Sequence, residues 1–146
     1  MSDEVTVTRV VDAPPAEVFR AWTDPELIKR WFGPGEFQTP EAEVDLRPGG
    51  AYRFVMHAPG GNPMPISGTY HEIRDPDLLV YSWKWEVEGM GDDESLVRVE
   101  FRPSGEEQTE VVITHSRYPA EHTGEPYRMG WEGGLDKVEQ LFAKAA

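Results

Sequence analysis

Cysteine is absent from this chain of 146 residues, which excludes disulfides, thiolate metal sites and cysteine nucleophiles. Long apolar runs are lacking too: none approaches the roughly 18 residues that cross a bilayer. The opening stretch, MSDEVTVTRV, is polar and acidic, whereas a secretory leader carries an apolar core of about 7–15 residues. A reducing cytoplasm is therefore the expected location. Positive charge is scarce, with 14 Lys and Arg against 27 Asp and Glu, a net charge of −13. Such a chain repels phosphate backbones and anionic lipid, and its basic residues are scattered along the sequence without a cluster. Neither nucleic acid nor a membrane surface is an expected partner. Also missing are internal repeats, low-complexity stretches, a linker, a G-x-S-x-G elbow, a P-loop and a dinucleotide fingerprint. One domain spanning residues 1–146 is the natural reading of that length.

What the chain does have is rings. Five Trp, five Tyr and six Phe make up 11% of it, which argues against disorder and demands either a large core or a large cavity. The pattern around them is regular. Residues 4–11, EVTVTRVV, alternate as a strand. Pro15 suits a helix start, and AEVFRAW places Val18, Trp22 and Phe19 on one face. After Thr23-Asp24-Pro25, the stretch ELIKRWF predicts a second short helix with Leu27, Ile28 and Trp31 inward, ended by Gly33-Pro34-Gly35.

Strands follow. AEVDL at 42–46 is stopped by Arg47-Pro48-Gly49-Gly50, which feeds AYRFVMH at 51–57, where Tyr52, Phe54 and Met56 share a face. APGGNPMP at 58–65 reads as a loop, ISGTYHEI at 66–73 as a strand, and Arg74-Asp75-Pro76-Asp77 as a turn. In LLVYSWKWEV, residues Leu79, Tyr81, Trp83, Trp85 and Val87 share one face. The acidic loop EGMGDDE leads to SLVRVEF, whose Val97, Val99 and Phe101 alternate with charged residues, and a Gly-containing turn joins it to QTEVVITHS. A long helix ends the chain, with Thr123 a candidate N-cap and Pro126 early. Its apolar face runs through Tyr127, Trp131, Leu135 and Val138 to Leu141 or Phe142. Glycines 130, 133 and 134 each weaken such a helix by roughly 1 kcal/mol against Ala, so they imply either close packing on the backbone or space left for a ligand.

The sum is an α+β helix-grip fold: a curved antiparallel sheet wrapped around a long C-terminal helix, with two short helices after the first strand. At this point the order of elements resembles that of the START-like (SRPBCC), birch-pollen-allergen-like superfamily. Within it, the chain is most similar to the group named after the activator of the 90-kDa heat-shock chaperone ATPase. The likeness is carried by VVDAPPAEVFRAWTDPELIKRWFGP at 10–34, DLRPGGAYRFVM at 45–56, SGTYHEIRDPDLLVYSWKWE at 67–86 and MGWEGGLDKVEQL at 129–141. Trp22, Trp31, Gly49, Gly50, Gly68, Trp83, Gly130 and Trp131 match its signature positions. The resemblance implies a cavity between sheet and helix that takes apolar or amphipathic small molecules. It carries over no shared catalytic motif and no cofactor. Superfamily relatives include cyclases, so a cyclase- or hydrolase-like enzyme using the same cavity is an alternative. Chaperone association in a stress response is another, although the eukaryotic activators carry an additional N-terminal chaperone-binding domain for which this chain has no room.

Candidate site residues follow from the apolar faces. Tyr52, Phe54, Met56, Tyr70, Tyr81, Trp83, Trp85, Phe101, Tyr127 and Trp131 are candidates for the volume between sheet and helix. Together with two strand histidines, those named as ligand-binding are Tyr52, Phe54, Met56, Tyr70, His71, Tyr81, Trp83, Phe101, His115, Tyr127 and Trp131. Apolar linings with few polar anchors are typical of ligand pockets, but the same rings would equally make a filled core. His57, His71, His115 and His122 lie 14, 44 and 7 positions apart on different elements, so no metal site is expected. Pairs such as Asp92-Asp93 and Glu106-Glu107 sit in predicted turns, where solvation is the default. Glu72 would have its pKa raised if it pointed inward and could then serve as an acid or base. Alternation groups it with Ile66, Gly68 and Tyr70, and groups Ile73 with Thr69 and His71, which leaves its face open. The expected partner is a hydrophobic or aromatic small molecule, and the oligomeric state stays open between monomer and homodimer.

Overall fold

The computed structural model describes residues 4–33, 36–61, 63–86, 94–105, 107–116 and 124–142, with the side chains of 124–126 left aside. Thr123, His122, Val87, Asp92, Asp93, Glu106 and Pro34-Gly35 lie outside the described residues. Strand β1 (Glu4–Val11) is followed by helices α1 (Pro15–Thr23) and α2 (Pro25–Trp31). Then come β2 (Gln38–Val44), β3 (Ala51–His57), β4 (Pro63–Arg74), β5 (Leu78–Trp85), β6 (Ser95–Pro103), β7 (Thr109–Ser116) and helix α3 (Gly124–Leu141). The seven strands form one curved antiparallel sheet in the order β1-β7-β6-β5-β4-β3-β2. This is the helix-grip arrangement that the sequence predicts.

Local chemistry accounts for the helices. Pro15 and Pro25 each occupy the first turn, where a missing N–H costs nothing. Asp24 caps α2 by accepting from the Glu26 backbone N–H at 3.0 Å. Val18, Phe19, Ala21 and Trp22 of α1, and Ile28 and Trp31 of α2, are buried; Leu27, expected inward, is only half-buried. Helix α3 packs on β1 and α2 through Tyr127, Trp131, Leu135 and Val138. Arg9 of β1 ties its outer side by pairing with Asp136 at 2.8 Å and Glu139 at 2.6 Å.

Three expectations need correction. The second strand runs over 38–44 rather than 42–46, because Asp45 already belongs to the turn that Arg47 closes over it at 2.9 Å. The strand after the Gly-rich loop starts at Pro63, not Ile66, and its first residues pair with His57 and Val55 of β3. Pro65 accepts from Glu86 N–H, so the missing N–H groups of Pro63 and Pro65 face the β5 side, beyond the point where that ladder begins at Ile66. Proline is tolerated there as at an edge. Finally, the β4–β5 register shifts between Tyr70 and Glu72. This bulge inserts one residue and inverts the alternation: Tyr70 and Ile73 both reach the core, His71 is exposed, and Glu72 turns outward to pair with Arg74 at 2.5 Å.

Candidate functional site

The interior between the sheet and the helices has two ends, and they differ. At one end Tyr52, Phe54, Tyr70 and Tyr81 meet Trp22, Ile28, Trp31 and Phe32 around a void of only about 10 Å³. The Tyr52 ring lies over Gly68 of the neighbouring strand, where a Cβ would stand 2.7 Å from it, and its hydroxyl donates to the Ser82 carbonyl at 2.6 Å. Burial raises the pKa of all three tyrosines, because a phenolate has no water to solvate it there. Tyr52, Phe54, Tyr70 and Tyr81 are therefore packing residues. So is Phe101, which is wedged edge-on against Phe19 and Trp22 at 5.4 Å.

The other end is open inside. A cavity of about 330 Å³ lies between the sheet and the first turns of α3. Met56, Trp83, Tyr127 and Trp131, all expected, line it. Trp85 also lines it, although the sequence assigned it only to the sheet–helix volume. The remaining wall comes from Trp31, Phe32, Gly33, Phe37 and Met64, which sequence reasoning did not assign to a site, and from Gly130 and Gly134, the helix glycines it left open between close packing and ligand space. The glycines do different work. A Cβ on Gly134 would touch the Trp31 ring at 3.4 Å, whereas one on Gly130 would meet nothing within 4 Å among the described residues. Gly130 thus leaves space, while Gly134 admits a neighbouring ring. Gly33 combines a φ of +97° with Met56 Sδ and Phe37 Cβ 3.0 Å from its missing side chain, so only glycine fits this corner.

His115 stands one layer behind this wall. It is fully buried, with its ring 4.3 Å from Tyr127 and 5.2 Å from Trp83, centroid to centroid. The Trp131 indole donates to Nδ1 at 3.1 Å, which makes Nδ1 the acceptor and puts the proton on Nε2. That N–H then donates to Ser95 Oγ at 2.7 Å, and Ser95 donates onward to the Trp83 carbonyl at 3.2 Å. Desolvation pushes the imidazole pKa down to about 3. The side chain is a neutral spacer that sets the angle of Trp131, and it does not line the cavity. His71 and Glu72 do not line it either. The Trp83 and Trp85 indole N–H groups are buried with no oxygen or nitrogen partner among the described residues; the two rings meet edge to face at 5.7 Å. Among the described residues no group of His, Asp and Glu is arranged to hold a metal ion, and no helix is long and apolar enough to cross a membrane.

Beside the cavity runs an open groove lined by Lys29, Arg30, Glu36, Gln38, His57 and Lys137. Phe37 belongs to both walls. The basic residues that look scattered along the sequence are here gathered by the fold, α2 supplying two and α3 one.

Fold and site together define a helix-grip domain whose sheet and C-terminal helix enclose an apolar cavity. The chain belongs to the family described as Activator of Hsp90 ATPase homolog 1-like protein, whose model matches residues 12–143. Among solved structures, a Chromobacterium violaceum protein is 24% identical with a TM-score of 0.89, covering 98% of this chain and 99% of its own. A Nitrosomonas europaea protein is 26% identical with a TM-score of 0.79, at 94% and 92% coverage. The AHSA1 protein of Silicibacter pomeroyi is 21% identical with a TM-score of 0.83, at 96% and 97% coverage. No curated protein matches the chain.

Proposed function

We propose that this protein binds a hydrophobic or aromatic small molecule in the cavity between its sheet and C-terminal helix. The observation that carries the reading is an apolar space of about 330 Å³ in an interior whose other end is closed to about 10 Å³. Ligand pockets span about 300–1,000 Å³ and are lined mainly by apolar and aromatic groups. Protein interiors otherwise close-pack, so a space of this size beside a helix glycine reads as reserved. Catalysis in the same cavity has less support, since among the described residues no carboxylate or imidazole lines its wall.

The test is a fluorescence titration with N-phenyl-1-naphthylamine, a neutral probe of two linked aromatic systems. Saturable enhancement at one site is expected, with affinity at least tenfold weaker in Gly130→Leu, where the new side chain enters the cavity. A wild-type signal that never saturates, or an affinity that Gly130→Leu leaves unchanged, removes the proposal.

A further inference from the structure

We infer that the occupant of this cavity is an amphipathic organic acid, its apolar body among the tryptophan rings and its anionic group held in the adjoining groove by Lys137 and Arg30. The inference rests on the binding reading above and adds the ligand's charge and orientation. Its first support is connectivity. Phe37 forms part of both the cavity and the groove, and Lys137 Nζ donates to the Phe37 carbonyl at 2.9 Å. Gly134 in the cavity wall and Lys137 in the groove are three residues apart on α3, hence on one face of the helix. Arg30 of α2 lines the same groove. Lys137 therefore stands against Phe37, the residue common to groove and cavity.

The second support is charge. In a chain with 27 acidic and 14 basic residues, most basic side chains find a carboxylate. Lys29, in the same groove, pairs with Glu26 at 3.6 Å, and Arg9, Arg47, Arg53, Arg74, Arg98 and Arg102 are all paired. Among the described residues Arg30 and Lys137 have no carboxylate within 4.0 Å, although Glu36 lines the same groove. Lys137 is also partly withdrawn from water, and that desolvation lowers its pKa, so the ammonium form would gain from an anion beside it. With one hydrogen bond given to Phe37, its amine retains two N–H donors.

The third support concerns orientation. The cavity wall is almost wholly apolar, and burying an unpaired carboxylate or sulfonate there is prohibitive. An acid can enter only with its apolar end first, leaving its charged end at the mouth. Arg30 and Lys137 stand in the groove that shares Phe37 with the cavity. A neutral ligand would make no use of them.

The test compares N-phenyl-1-naphthylamine with its sulfonated analogue, 8-anilino-1-naphthalenesulfonate, at low ionic strength. The sulfonate is expected to bind wild type at least tenfold more tightly than the neutral probe. In Lys137→Gln/Arg30→Gln that advantage falls to twofold or less while neutral-probe affinity stays put, and Lys137→Arg/Arg30→Lys retains it. Equal affinities, or a preference for the neutral probe, overturn the charge assignment and leave the cavity reading standing. A sulfonate preference that survives the double Gln substitution overturns it as well. If neither probe binds, the cavity reading falls and the assignment falls with it.

Discussion

His115 shows how one buried group ties the cavity wall to the acid stability of the protein. Both ring nitrogens are engaged, one accepting from Trp131 and one donating to Ser95, and this pattern requires the neutral ring. Burial holds its pKa at about 3, against about 6.5 for the same side chain in an unfolded chain. The unfolded state therefore takes up a proton as pH falls below about 6.5, while the folded state refuses it until about 3. His115 makes its full contribution to stability above pH 6.5 and loses it progressively as the pH falls toward 3. Linkage sets the slope at about 1.4 kcal/mol per pH unit, so near pH 5 the loss from this residue is about 2 kcal/mol. Nitrogen-15 NMR reads the cause directly. The His115 ring should remain neutral from pH 7.5 to 4.5, with the proton on Nε2, while the unfolding midpoint falls. A His115 resonance that titrates near pH 6, or a proton on Nδ1, would contradict the hydrogen-bond scheme.

Helix α3 decides where the empty space lies. Its buried face carries Tyr127, Trp131, Leu135 and Val138, and between these Gly130 withdraws a side chain from the interior. A glycine inside a helix costs up to about 1 kcal/mol against alanine, and among the described residues nothing lies within 4 Å of where the Gly130 Cβ would stand. Gly130→Ala should therefore stabilise the protein by about 0.5–1 kcal/mol, raising Tm by about 1–4 °C, and at the same time weaken N-phenyl-1-naphthylamine binding. Gly134→Ala, which meets Trp31 at ordinary contact distance, should gain less and leave binding closer to wild type. Calorimetry and the fluorescence titration on both variants decide this; stability and affinity rising together at Gly130 would mean that its space is not the binding space. The sequence itself leaves Gly130 poised between close packing and a reserved gap, because glycine looks the same in both. Strand identity is far more legible than strand depth. Alternation finds β3, β5, β6 and β7, yet the bulge at His71 leaves no residue signature, and only the β4–β5 register reveals that Ile73 points inward and Glu72 outward.

At the scale of the whole molecule, composition reports many rings without saying whether they fill the interior or surround a space, and the fold does both. Tyr52, Phe54, Tyr70, Tyr81 and Phe101 share their periodicity with Met56 and Trp83, so alternation cannot separate core from cavity wall. What separates them is position along the interior. The first group packs against α1 and α2, whereas the second faces the glycine-bearing start of α3. The basic groove escapes the sequence for a similar reason, since Lys29, Arg30, His57 and Lys137 come from three elements distant in the chain. Because the wall belongs to the same core that holds the domain together, filling the cavity must stabilise the entire fold. A ligand at 100 times its dissociation constant adds about 2.7 kcal/mol to a protein that binds it only when folded. For a chain near 150 residues, at about 2–4 °C per kcal/mol, N-phenyl-1-naphthylamine at that concentration should raise Tm by roughly 5–11 °C. The rise should scale with the logarithm of probe concentration and vanish in Gly130→Leu, whose own midpoint without probe is unchanged or higher. A shift of equal size in Gly130→Leu would place the probe on the surface instead, and a flat response in wild type would mean that the rings close over the cavity in solution.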